Sequence, residues 1–242
     1  MVETSIARRA LGDIVSVSRH ARPASAARWL TSFAVHLPEC SGTRSLVPAD
    51  RVWARTGARF RPPDGPVISL PAAYTAGARE MYCRNVYLRA GFSLPRTGWV
   101  LDLGANRGLF SVSVVRAGAT AGVVADDERW AATSHGAPQR PSGLSVPQIM
   151  SAYQIGRIGL MKVDIEGGEF AVFSDKEDLS WLDLVDQVVM EVHPEWGDAA
   201  ALVDRLRRRG FTASLRDNEG TRVSAASSRL AYAYFGRPSG RP

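Results

Sequence analysis

A carboxylate set inside an apolar strand, followed at once by a glycine-spaced turn and a helix, constrains this chain more than any other feature. The segment reads Val100-Leu-Asp102-Leu-Gly104-Ala105-Asn106-Arg-Gly108-Leu-Phe-Ser111. Glycine lets a backbone approach a ligand closely, and the start of a helix presents unpaired N–H groups. Asn106 belongs to the few non-glycine types that tolerate a left-handed turn. Asp102 is costly in an apolar strand unless it finds a partner. Asp102, Gly104, Ala105, Asn106 and Gly108 are therefore candidate residues for holding a nucleotide-like cofactor. The plainer reading is a tight strand-to-helix turn with a capping aspartate. Gly104 and Gly108 stand four apart, which departs from the GxGxxG dinucleotide fingerprint and weighs against NAD-dependent oxidoreduction.

Around this turn, short apolar runs alternate with helical patterns, the mark of an α/β domain with a mostly parallel sheet. Strands are expected at Trp99–Leu103, Ile158–Ile165 and Gln187–Val192, as parallel neighbours. Phe211–Leu215 and Leu230–Phe235 should close the sheet as an antiparallel hairpin. Helices are expected over Leu109–Arg116 and Asp198–Arg209, the latter stopped by Gly210. Upstream, Ile6–Val17 and Ala24–Val35 read as amphipathic helices broken by Pro23 and Pro38. Val52–Phe60 alternates like a strand and pairs with Val67–Leu70 across the turn Arg61-Pro-Pro-Asp-Gly65, and Ala72–Tyr82 is helix-like. The division expected is an N-terminal helical and hairpin extension, residues 1–80, and an α/β domain, residues 81–242.

A second dense segment is Leu160-Met-Lys162-Val-Asp164-Ile-Glu166-Gly-Gly-Glu169-Phe. Ligands of open α/β sheets sit beyond the carboxyl ends of the strands, where Asp164 and Glu166 fall. Glu169 at a helix start would also complement the dipole, and Lys162 would also pair with a carboxylate. A third is Val188-Val-Met-Glu191-Val-His193-Pro, where residues two apart share a face of the strand. Histidine titrates near neutral pH and is suited to take a proton from a hydroxyl. Asp164, Glu166, Glu191 and His193 are the candidate catalytic residues. A fastening role for Glu191 and His193 at the strand end is the alternative.

The net charge is +6, from 30 basic and 24 acidic residues. Residues 1–62 hold ten arginines against four acids, so the surplus lies there. The arginines are scattered and flank no nucleic-acid motif, which weighs against nucleic acid as a partner. Cys40 and Cys83 form no CxxC and suit a reducing compartment. No apolar run approaches the roughly 18 residues of a membrane span, and Met1–Arg9 carries no secretory pattern. A cytoplasmic location is expected.

Asp-Leu-Gly-Ala-Asn-Arg-Gly-Leu-Phe-Ser resembles the first motif of the FkbM family of S-adenosylmethionine-dependent methyltransferases, and Lys162-Val-Asp-Ile-Glu-Gly-Gly-Glu169 resembles its second. Glu191-Val-His193 matches a Glu-x-His of the same family, and Asn85-Val-Tyr87-Leu-Arg-Ala-Gly91-Phe resembles the segment leading into its first strand. The resemblance implies a class I methyltransferase-like (Rossmann-like) domain carrying S-adenosylmethionine on the first turn. It implies transfer of a methyl group to a hydroxyl on a small molecule, a secondary metabolite or sugar, with His193 as general base. A divalent ion between Asp164 and Glu191 fits the same pattern. Asp102 and Asp164 are only 62 residues apart, which leaves room for about one βαβ unit where the family has about two. Either Gly122-Val-Val-Ala-Asp126-Asp127 is the second strand, with an aspartate on the cofactor ribose, or that strand is deleted. Deletion is the expectation, from the order Glu128-Arg-Trp-Ala to Ser145–Ile158. A non-catalytic binding or scaffold protein on a degenerate methyltransferase fold is the alternative function.

Overall fold

Six residues in a row, Ile158–Val163, are buried on both faces of their strand, and the sheet is assembled around them. The computed structural model describes residues 6–62, 65–89, 91–95, 98–117, 123–125 and 144–238. Backbone contacts group the chain into two compact units, Met1–Val86 and Tyr87–Pro242.

In the first unit four helices, α1 (Ile6–His20), α2 (Pro23–Val35), α3 (Leu37–Thr43) and α4 (Val47–Thr56), precede the hairpin β1 (Ala58–Phe60) and β2 (Ile68–Leu70). Pro23 and Pro38 open helices rather than break them, because a proline in the first turn gives up no hydrogen bond. The strand expected from Val52 begins only at Ala58. Pro48 starts a helix that buries Ala49 and Trp53, four apart on one face, and Gly57 at φ 66 ends it. Gly77, at φ 78, divides the expected helix 72–82 into a 3-10 turn, Ala72–Tyr74, and a π turn, Arg79–Cys83. Trp29, Trp53, Phe60 and Tyr82 form the aromatic centre of this unit. Beside them the buried Arg79 guanidinium meets Asp13 at 2.7 Å and Asp50 at 3.0 Å.

The second unit is a six-stranded sheet in the order β4-β3-β5-β6-β8-β7. Its strands are β3 (Trp99–Leu103), β4 (Val123–Ala125), β5 (Ile158–Val163), β6 (Gln187–Glu191), β7 (Thr212–Arg216) and β8 (Tyr232–Gly236). β4, β3, β5 and β6 are parallel, while β8 is antiparallel to β6 and to β7. The three parallel neighbours and the closing hairpin stand as the sequence implies. Near-continuous apolar sequence in β3 and β5 is what a sheet covered on both faces requires. Helices α5 (Leu109–Arg116), α6 (Val146–Ala152), α7 (Glu169–Val172) and α8 (Ala199–Arg208) accompany the strands. α8 is capped by Asp198, whose carboxylate accepts from Ala201 N at 3.0 Å, and stops at Gly210 with φ 85. α6 begins with a reciprocal capping box between Ser145 and Gln148.

The expected deletion of the second strand does not hold. Val123–Ala125 pairs in parallel with Val100–Asp102 on the outer side of β3. The short Val-Val-Ala run suffices because an edge strand needs only one partner. Asp126 and Asp127, the ribose candidates after it, lie outside the described residues.

Replacing Arg79 by Met should leave Asp13 with Arg84 at 3.4 Å and Asp50 with the Trp29 indole at 2.7 Å, and cost about 3–5 kcal/mol. Chemical denaturation of the variant against the wild type measures this. A loss below about 1 kcal/mol would show that the Arg79–Asp13–Asp50 cluster is not holding the first unit.

Candidate active site

The register of β3 on β5 sets Asp102 directly opposite Lys162. Both are buried, and Lys162 Nζ lies 3.1 Å from Asp102 Oδ1. Ser111 Oγ, one turn into α5, donates to Asp102 Oδ2 at 2.6 Å. Asp102 Oδ2 is thus hydrogen-bonded, while the buried Oδ1, without a hydrogen bond among the described residues, is answered by the Lys162 charge alone. Lys162 Nζ also donates to Gly104 O at 2.6 Å and sits 3.5 Å from Asp164 Oδ2. One ammonium therefore ties the first turn to the second.

The first turn runs through Gly104 at φ 73, Asn106 at φ 49 and Gly108 at φ 70, the left-handed conformations its sequence suggests. Ala105 is buried and Asn106 is exposed. A Cβ on Gly104 would fall 1.7 Å from Asp164 O, so the glycine is required first by the protein's own backbone. A Cβ on Gly108 would meet nothing within 4 Å.

At the end of β5, Asp164 and Glu166 are exposed in part while Glu169 is fully buried. Glu166 takes φ 50, which a non-glycine residue adopts only where the surroundings hold it there. Glu169 accepts from Gly167 N at 2.9 Å, from His193 N at 2.9 Å and from His193 Nδ1 at 3.1 Å. It is a brace across the ends of β5 and β6, and the dipole role suggested by its place at a helix start is secondary. His193 Nε2 lies 3.3 Å from Glu166 Oε2. Burial pushes the His193 pKa down, but the hydrogen bond and charge of Glu169, with the charges of Glu191 and Glu166, outweigh it and hold it up to about 9. In neutral solution the ring is an imidazolium with both N–H groups directed at carboxylates.

Asp164 and Glu191 do not leave a space for an ion between them. The Tyr87 hydroxyl occupies it, 2.7 Å from Asp164 Oδ2 and 3.2 Å from Glu191 Oε2. Burial, followed by the charges of Asp164 and Glu191, raises the Tyr87 pKa well above its ordinary value, so the phenol keeps its proton. The donors that converge are instead Asp164, Glu166 and His193, one atom each within 4.8 Å. Two carboxylates and an imidazole make a nitrogen–oxygen set suited to a divalent metal. Glu169 behind Nδ1 is the carboxylate that an imidazole ligand commonly has at its other nitrogen.

The structure therefore brings Asp164, Glu166, Glu191 and His193 together at the carboxyl ends of β5 and β6, beside the Gly104–Gly108 turn. Tyr87, Lys162 and Glu169, which sequence reasoning had left without a place in the candidate site, make direct contacts with its residues. A lysine in an apolar strand and a third acid after two glycines were visible signals. Tyr87, 77 residues before Asp164, stood in a segment with a family resemblance, but nothing in the sequence tied its hydroxyl to these carboxylates.

Gly104→Ala should unfold the protein or lower its melting temperature steeply. Gly108→Ala should cost only the strain of the left-handed backbone, about 1–2 kcal/mol. Thermal melts of the two variants check this, and equal losses would show that the Asp164 contact is not what requires Gly104. A second expectation concerns pH. Because the folded His193 pKa lies above that of the unfolded chain, its stabilisation is complete below pH about 6.5 and is lost as pH rises through about 9. Melts in chelator should show this decline for the wild type and not for His193→Gln. A flat wild-type profile would refute it.

Residues 97–213 match the family model described as "Methyltransferase FkbM domain". Over 116 residues the chain is 34% identical to the AMB antimetabolite synthetase AmbE of Pseudomonas aeruginosa, covering 44% of this chain and 5% of that protein. Over 59 residues it is 39% identical to Methyltransferase 1 of Beauveria bassiana, covering 24% of this chain and 23% of that one. The chain thus spans a small part of the length of either relative. No solved structure matches it significantly. The two turns, their order along the sheet and the match over residues 97–213 agree: this part of the chain is similar to the FkbM methyltransferase domain.

Proposed function

We propose that the protein transfers a methyl group from S-adenosylmethionine to a hydroxyl oxygen of a small molecule. The observation that carries this reading is the placement of a left-handed glycine turn at the end of β3 directly against the carboxylate turn at the end of β5. Open α/β sheets bind ligands at this edge. The turn of Gly104–Gly108, with the N-terminus of α5 behind it, receives the cofactor. Asp164, Glu166 and His193 face the acceptor. That one matched relative is named an antimetabolite synthetase is in keeping with a secondary metabolite as acceptor.

Methyl transfer is an in-line displacement: the acceptor oxygen bonds the methyl carbon, the carbon–sulfur bond breaks, and the acceptor's proton leaves. The protein's task is mostly to align the two reactants. Glu169 holds His193 at Nδ1 and leaves Nε2 as the atom that receives the proton, in the arrangement of an oriented general base. Because the ring is protonated near neutral pH, its basic form is the minority species there. A divalent cation held by Asp164, Glu166 and Nε2 of a neutral His193 would take the place of that base, supplying Lewis acidity toward the acceptor hydroxyl instead.

Calorimetric titration with S-adenosylmethionine should give a dissociation constant in the range of roughly 1–100 μM, about 5.5–8.2 kcal/mol of binding. Methyl-labelled cofactor should then pass label to members of a panel of sugars and polyhydroxylated metabolites, with and without Mg²⁺ or Mn²⁺. No binding at millimolar cofactor would reject the reading and leave a binding protein on a methyltransferase fold.

A further inference from the structure

Trp196 is half exposed, at 50%, and no step of the proposed reaction uses it. Single exposed aromatics are common on protein surfaces, but this one has a seat made for it. A Cβ on Gly167, which takes φ 96, would fall 2.8 Å from Trp196 Cγ, so the indole rests against the bare backbone that follows Glu166. The next residue in the loop repeats the contact in reverse, since a Cβ on Gly197 would fall 2.5 Å from the Phe170 ring. Glu169 accepts from His193 N and Nδ1, and Trp196 N donates to His193 O at 2.9 Å, which closes the same joint. Residues 193–197 are thereby pinned to residues 166–170, and the indole is held beside the Asp164, Glu166 and His193 cluster. Among the described residues it pairs with no other ring, lies under no cation and donates no hydrogen bond from Nε1.

Charge decides what such a surface takes. Four carboxylates, Asp102, Asp164, Glu166 and Glu169, share two cations, Lys162 and His193. The charged residues nearest Trp196 in the chain, Glu195 and Asp198, are also acidic. The face of an indole is the negative part of its quadrupole, and it attracts a cation more strongly than the other aromatic side chains do. A surplus of carboxylates adds to that attraction and repels an anion. We propose that Trp196 is a specificity-determining residue whose indole face receives an ammonium group carried by the methyl acceptor. The acceptor is then a hydroxylated amine, an amino alcohol or amino sugar, rather than a neutral polyol or a phosphorylated molecule. The proposal rests on the methyltransferase reading. Trp196 touches no reacting atom; it holds the far end of the acceptor while its hydroxyl meets the carboxylate and histidine cluster.

The test uses choline and 3,3-dimethylbutan-1-ol on the full chain, two alcohols of the same shape of which only the first is a cation. In nuclear magnetic resonance of the nitrogen-labelled protein, choline should move the Trp196 Nε1–H resonance, identified as the one missing from Trp196→Phe. The wild type should bind choline about two- to thirtyfold more tightly than the neutral alcohol, the range for a cation on an aromatic face. Trp196→Ala should abolish that preference, and Trp196→Phe, which keeps a weaker ring, should retain part of it. Affinity for S-adenosylhomocysteine should stay within about twofold in both variants. An unmoved Trp196 resonance, equal affinities for the two alcohols, or a preference that survives Trp196→Ala would overturn the proposal and leave the methyltransferase reading intact. So would a parallel loss of S-adenosylhomocysteine affinity, which would make Trp196 part of the cofactor bed. A wild type that binds choline but not S-adenosylhomocysteine would overturn the methyltransferase reading and the acceptor assignment with it. If Trp196→Ala fails to fold, Trp196→Phe decides, and an unchanged preference for choline overturns the proposal.

Discussion

The ion pair between Lys162 and Asp102 is the interaction on which the second unit depends. Two charges lie side by side on the inner strands of a sheet whose other residues there are apolar. A buried pair of this kind gains little over a well-packed apolar pair, and its loss on one side is severe. Its presence is therefore better explained by what it holds. The ammonium reaches past Asp102 to the Gly104 carbonyl and the Asp164 carboxylate, and Ser111 completes Asp102 from the helix. Strand, turn and helix are thereby fixed as one piece before a ligand arrives.

Electrostatics at the second turn follows from the same arrangement. Lys162 covers Asp102 and Asp164, and His193 lies between Glu166 and Glu169. Each cation is shared between carboxylates. For His193 the consequence is a basic imidazole, despite burial that acts in the opposite direction. The carboxylates at the surface of the cluster are Asp164, partly exposed, and Glu166, exposed.

Much of this was legible in the chain. The strand that carries Asp102, the helix from Leu109 to Arg116 and the order of the parallel strands follow from apolar runs and from crossovers that can only join parallel neighbours. Other parts were not, for reasons that can be named. Val52–Thr56 alternates like a strand, but Ala49 and Trp53 also share a helix face, and packing on Trp29 favours the helix. The second strand looked deleted because 62 residues seemed too few, whereas three residues at an edge satisfy β3. The capping box at Ser145 and Gln148 was a local signal passed over. Tyr87 lay in a segment the sequence had marked, but its contact could not be read there, since its hydroxyl meets two carboxylates that come 77 and 104 residues later.

Gly104 gives up its side chain to the carbonyl of Asp164, so the floor of one turn is the shoulder of the other. Such parts move in lockstep. A change that shifts the second turn would also shift the first. Variation can be accepted at lower risk on surfaces that do not share this joint, such as the outer side chains of the β7–β8 hairpin. The contact thus divides the domain into a frame that resists variation and a periphery that can accept it.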